Sequence, residues 1–118
     1  ESVLSAHPDA SIFVGIGSGS CIGANEALIQ TFGKGRIPQD VGVITTDITV
    51  QQLNSLKSDD EAVRAIIGFE GSNEDTAEAV MEMFRRIYSG EFNESNKNVV
   101  RPTMEINKDN VDQILAGM

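Results

Sequence analysis

Apolar positions along this chain recur with two different periods, and each change of period marks a new element. Residues 12–16 are an unbroken apolar run rich in β-branched and aromatic side chains, the pattern of a strand covered on both faces. Residues 20–32 switch to helical spacing, with Ile22, Ala24, Ala27, Leu28, Thr31 and Phe32 able to share one face. Gly33-Lys34-Gly35 predicts the stop, a glycine taking the left-handed cap conformation. A second strand is predicted over 40–47, then a short helix capped by Thr49 that carries Val50, Leu53 and Leu56, then a third strand over 62–69. Ser72 or Asn73 caps the clearest helix, where Ala77, Val80, Met81, Phe84, Ile87 and Tyr88 recur at steps of three and four. Glu74 and Asp75 sit at its positive end, Arg85 and Arg86 near its negative end, and Gly90 closes it. Residues 98–106 read as a last extended segment, and Asp109 is placed to cap a terminal helix bearing Val111, Ile114 and Leu115. The order β-α-β-α-β-α-β-α predicts an α/β fold, a mostly parallel sheet with helices packed on its faces.

Composition narrows the function classes. The chain has 118 residues, enough for one domain with its own core, and its apolar runs fall far short of the ~20 residues of a membrane span. Acids outnumber bases 18 to 9, for a net charge of −9, and such a surface repels phosphate backbones, so no nucleic-acid partner is expected. Cys21 is the single cysteine, which excludes an internal disulfide and a cysteine-based zinc cluster. The opening stretch lacks an initiator methionine and a signal peptide. It starts within a helix-like segment (Val3, Leu4) and turns at His7-Pro8-Asp9, so it reads as part of a longer protein.

The chemistry of interest lies where the first strand meets the first long helix, in the turn Gly15-Ile16-Gly17-Ser18-Gly19-Ser20-Cys21-Ile22-Gly23. A dinucleotide fingerprint needs G-x-G-x-x-G, and Ser20 fills its third glycine slot; Asp47 follows about 30 residues on, where about 20 is usual. No lysine completes a phosphate loop. An acyl-transfer elbow needs glycines two places either side of its serine, and neither Ser18 nor Ser20 has them. His7, the only histidine, precedes the first strand, so no hydrolase triad is expected. Cys21 could be an activated thiol at a helix N-terminus, but the plainer reading is a small apolar residue in the first turn. Asp59, Asp60 and Glu61 likewise read as a solvated acidic loop before they read as a metal site. No catalytic residue, cofactor or metal is therefore assigned. What remains is position, because ligands of open α/β sheets bind beyond the carboxyl ends of the strands. Those ends carry Gly17-Ser18, Thr46-Asp47 and Glu70-Gly71. Asp47 and Glu70 can accept hydrogen bonds from hydroxyl groups, the natural partner being a sugar. The competing roles are a cap of the 49–58 helix for Asp47 and an exposed strand end for Glu70.

Residues 9–47 resemble the carboxyl-terminal half of ribose-type periplasmic sugar-binding proteins and the related effector domains of lactose-repressor-type regulators. Gly23-Ala24-Asn25-Glu26-Ala27-Leu28 and Ile37-Pro38-Gln39-Asp40-Val41 match that family's patterns, and residues 81–91 and 101–115 resemble its last helix and closing strand. The resemblance spans nearly the whole chain and rests on the order and spacing of its motifs. It implies a Rossmann-like or flavodoxin-like three-layer lobe with helices on both faces of its sheet, in the type I periplasmic-binding-protein fold. It also implies ligand contacts at Gly17, Ser18, Asp47 and Glu70. Asp47 matches the family's hydroxyl-binding aspartate directly. Glu70 stands where a glutamine is usual, and Gly17-Ser18 where an asparagine–aspartate pair is usual, departures that count against an ordinary pentose or hexose.

The implied function is solute binding, of the sugar class, for an ABC transporter, with a small-molecule ligand and a membrane permease as partners and an extracytoplasmic location. An effector domain of a cytoplasmic regulator is the alternative, and a Rossmann-like nucleotide-binding enzyme fragment is a further one. Family members close two lobes over the ligand, so residues 1–118 are expected to be one lobe, with 72–98 crossing to the other or exchanged with a second copy. Left in water, the stripe of the 73–89 helix would forfeit roughly 1.5–3 kcal/mol per large side chain. It is expected to fold back on the sheet or, preferably, to form a homodimer.

Overall fold

The computed structural model describes residues 2–118. Its elements follow in the order α1 (Ser2–Ala6), β1 (Ile12–Gly15), α2 (Ser18–Phe32), β2 (Gly42–Thr46), α3 (Val50–Lys57), β3 (Val63–Phe69), α4 (Asn73–Ser89), β4 (Thr103–Ile106) and α5 (Val111–Ala116). The strands form one four-stranded sheet in the order β1-β2-β3-β4, with β1–β2 and β2–β3 parallel. This is the predicted α/β class with a mostly parallel sheet and helices packed against it. Each of the first strands pairs with its successor, and right-handed crossovers then place α2 and α3 on the same face, where they touch.

Two compact units make up the chain: residues up to Gly68 together with Glu105–Met118, and Phe69–Met104. The first holds the core. Val43, Val63 and Ile66 from the sheet and Leu28, Leu53 and Leu56 from α2 and α3 are at most 1% exposed, joined by Ile106 and Val111. Each such side chain contributes about 1.5–3 kcal/mol through burial.

β1 differs from expectation. Ile12, Val14 and Ile16 are 53%, 77% and 87% exposed, so the strand is not covered on both faces. It is the edge strand, α2 packs against it from one side, and alternation turns these three residues to the other. Smaller differences occur at element ends. α2 begins at Ser18 rather than Ser20, and Gly33 ends it with φ 91 and ψ 145, a positive-φ conformation open to glycine and not the left-handed cap. β4 covers only Thr103–Ile106, leaving 98–102 outside the sheet, and Asn110 rather than Asp109 precedes α5. Thr49 does cap α3, its hydroxyl accepting from the Gln52 N–H.

The second unit encloses residues 72–98 and is organised around α4. Ser72 and Asp75 form a capping box, the Ser72 hydroxyl accepting from the Asp75 N–H while the Asp75 carboxylate accepts from the Ser72 N–H, and Gly90 closes the helix in the left-handed conformation. The Glu70 N–H donates to the Pro102 carbonyl at 3.0 Å, which sets the end of β3 beside the start of β4. Arg101 fastens this junction: its guanidinium donates to the Glu70 carbonyl at 2.6 Å and to the Thr76 hydroxyl, and lies 5.3 Å from the centre of the Phe69 ring. No residue of α4 is buried.

Candidate functional site

The glycine turn is first a packing device. A Cβ on Gly15 would stand 2.5 Å from Ser20 Oγ, so only glycine lets the first turn of α2 sit this close to the end of β1. Gly17 has φ 87, a backbone conformation that side chains disfavour, and it lets the chain reverse from strand into helix. Ser20 Oγ then donates back to the carbonyls of Ile16 and Gly17, at 2.9 and 2.7 Å.

The loop after β2 completes the arrangement. The Gly17 N–H donates to Thr46 Oγ1 at 2.9 Å, and the Ser18 N–H donates to Asp47 Oδ2 at 3.2 Å. Asp47 therefore caps a helix, but it caps α2 from across the sheet and not α3, whose cap is Thr49. Asp47 is also the one non-glycine residue with positive φ among the described residues, at 70. Aspartate tolerates this region better than most side chains, yet the conformation still costs free energy that its surroundings must repay. Gln52 fixes the loop from beneath: it is 1% exposed, its amide donates to the Thr46 carbonyl at 3.0 Å, and its Oε1 accepts from the Thr49 hydroxyl at 2.8 Å. The result is an exposed carboxylate held at the positive end of a 15-residue helix, with one oxygen engaged and the other open to a donor.

Gly17, Ser18 and Asp47 are thus brought together. Glu70 lies in the second unit, exposed, with its backbone tied to Pro102 and Arg101. Cys21 is 1% exposed, and burial pushes its thiol up, against hydrogen bonds with Gln52 and Thr45 that act the other way. It is a core residue and not an activated nucleophile. The acidic loop separates into three roles. Asp59 pairs with Lys108, whose hydrogen bond and charge hold its carboxyl below the usual range. The Asp60 carboxylate lies over Gly35, and Glu61 turns toward Asn25 and Lys34. Among the described residues no three potential ligands gather around a metal position.

Sequence reasoning missed a set of buried polar groups between α2 and α3. Asn25 is 4% exposed; its amide donates to Glu61 Oε2 at 2.9 Å, and its carbonyl accepts from the Ala62 N–H at 2.8 Å. It ties α2 to the start of β3. Burial alone would raise the Glu61 pKa, but hydrogen bonds from Ser55 and Asn25 and the Lys34 ammonium hold it below its ordinary value. A polar surface cleft of about 470 Å³ lies here, between α2 and α3. The available signal is the spacing of Cys21, Asn25 and Leu28, the residues α2 does bury; the predicted face is rotated from it because an apolar pattern carries no mark for the polar Asn25.

The geometry offers one free acceptor oxygen, on Asp47, beside the α2 N-terminus. A scan against protein-family models finds no match for the chain, and a search of curated proteins finds none either.

Proposed function

We propose that the chain is a non-catalytic binding lobe of the sugar class, the carboxyl-terminal lobe of a solute-binding protein that serves an ABC transporter. The observation that carries this reading is Asp47, held in a left-handed backbone conformation at the carboxyl end of β2 with a carboxylate oxygen open to solvent beside the α2 N-terminus. Strained residues of this kind concentrate at ligand sites, and the position is the one open α/β sheets use for ligands. Closure of a second lobe would bury a polyhydroxylated ligand against Gly17, Ser18 and Asp47. The lobe would work outside the cytoplasm. The compatible coarse fact is that no helix among the described residues is long and apolar enough to cross a membrane.

The test is a thermal-shift and calorimetry screen of monosaccharides, amino sugars and polyols on the natural gene product carrying this chain. A ligand present at 100 times its dissociation constant should add about 2.7 kcal/mol of stability, and Asp47→Ala should remove that response. A screen in which nothing stabilises the protein would refute the reading.

A further inference from the structure

α4 leaves its apolar stripe more than half exposed, although Val80, Phe84 and Ile87 also border an apolar cavity of about 420 Å³ with Phe69, Val99 and Arg101. Val80, Met81, Phe84 and Ile87 are between 51% and 61% exposed and Tyr88 is 96% exposed, whereas Ala79, Glu82, Met83 and Arg86, on the other side of the helix, are the half-buried residues. The capping box and Gly90 satisfy the helix ends locally, so the stripe is presented by a helix whose ends need no outside partner. Charge is graded along it. Glu74, Asp75 and Glu78 precede Met81, and Glu82, Arg85 and Arg86 follow it, both arginines pairing with Glu82 at 3.0 Å on the same helix.

We propose that α4 docks antiparallel against α4 of a second copy of this chain, about a twofold axis near Met81. Glu78 and Arg85 are seven residues apart, two turns, and so lie on the same flank of the stripe. Reversing one helix against the other sets each Arg85 beside Glu78 of the other copy, twice over, and opposes the two helix dipoles. A parallel pair would set acidic half against acidic half. Five stripe side chains at roughly 100 Å² each give about 500 Å² per copy and about 1,000 Å² in the pair, the lower limit for a specific interface. The dimer is therefore reversible. This inference is independent of the ligand reading, since it rests on α4 alone.

Sedimentation velocity on the 118-residue chain, from low micromolar to millimolar concentration, should show a monomer–dimer equilibrium that Phe84→Glu abolishes. Arg85→Glu and Glu78→Arg should each weaken the dimer about fivefold, and the double variant should restore it. A short bismaleimide should join two Met81→Cys chains but not two Tyr88→Cys chains, whose cysteines would lie about 20 Å apart at 1.5 Å rise per residue. A monomer at every concentration, equal cross-linking at the two positions, or a double variant that fails to recover would each overturn the proposal.

Discussion

α2 and α4 are helices of similar length, 15 and 17 residues, with opposite fates. α4 has the more regular apolar pattern, its own capping box and a left-handed glycine at its end, yet none of its residues is buried. α2 is patterned less cleanly, has glycine at four of its flanking or internal positions (Gly17, Gly19, Gly23, Gly33), and buries Cys21, Asn25 and Leu28. Periodicity reports that a helix forms and where its stripe lies. What covers the stripe depends on features with no period: the close approach at Gly15, the hydroxyl of Thr46, the amide of Asn25.

The widest separation between the two helices should appear in their large-to-small variants. Leu28→Ala opens a cavity in a residue 1% exposed and should cost about 2–5 kcal/mol. Phe84→Ala, at a position 61% exposed, should change the stability of the dilute monomer by no more than about 0.5 kcal/mol. Urea melts of both variants at low micromolar concentration measure this. Equal losses would mean that α4 is covered after all, and would end the comparison.

Much of the fold could be read from sequence because it is encoded locally. Thr49, Ser72 and Gly90 act where the pattern places them, since caps and left-handed glycines answer to their immediate neighbours. The candidate site was legible in part: the turn at Gly17-Ser18 and the strand end at Asp47 were singled out by the rule that ligands gather at carboxyl ends, and they do meet. Asp47 as a cap for α2 was not legible, because it joins residues 29 apart through a sheet register that the chain does not announce. The exposure of Ile12, Val14 and Ile16 was hidden for the same reason: a continuous apolar run does not say whether its strand lies at an edge. Asn25 escaped because a polar residue on a buried face has meaning only once its partners, Glu61 and the Ala62 N–H, are in place.

The two helix N-termini sharpen the contrast at a smaller scale. Asp47→Ala removes the acceptor for the Ser18 N–H and places alanine at φ 70, which it tolerates poorly. The two losses together should come to about 1–2 kcal/mol and, because the cap reaches across the sheet, should appear in the global unfolding transition. Asp47→Gly should be milder, since glycine accepts the backbone conformation and only the carboxylate is lost. Similar destabilisation by both variants would show that the carboxylate alone matters and that the left-handed backbone contributes nothing measurable.

At α4 the same kind of change should stay local. Ser72→Ala breaks the capping box and should cost about 1 kcal/mol, seen as faster amide exchange over the first turn, at Glu74, Asp75 and Thr76, with the global melt scarcely moved. The pH dependence follows from Asp75, whose carboxyl is held below its ordinary value of 3.8 by the N–H and hydroxyl of Ser72. A group with a depressed folded pKa contributes its stabilisation above the unfolded value and loses it as pH falls through the folded one. Protection of the first turn should therefore be full at neutral pH and decline on acidification below about pH 3.8. In Ser72→Ala that acid-dependent step should shrink, because Asp75 has lost the hydroxyl that favoured its charged form. An unchanged acid profile in the variant would show that the backbone N–H of Ser72, rather than its side chain, carries the Asp75 shift.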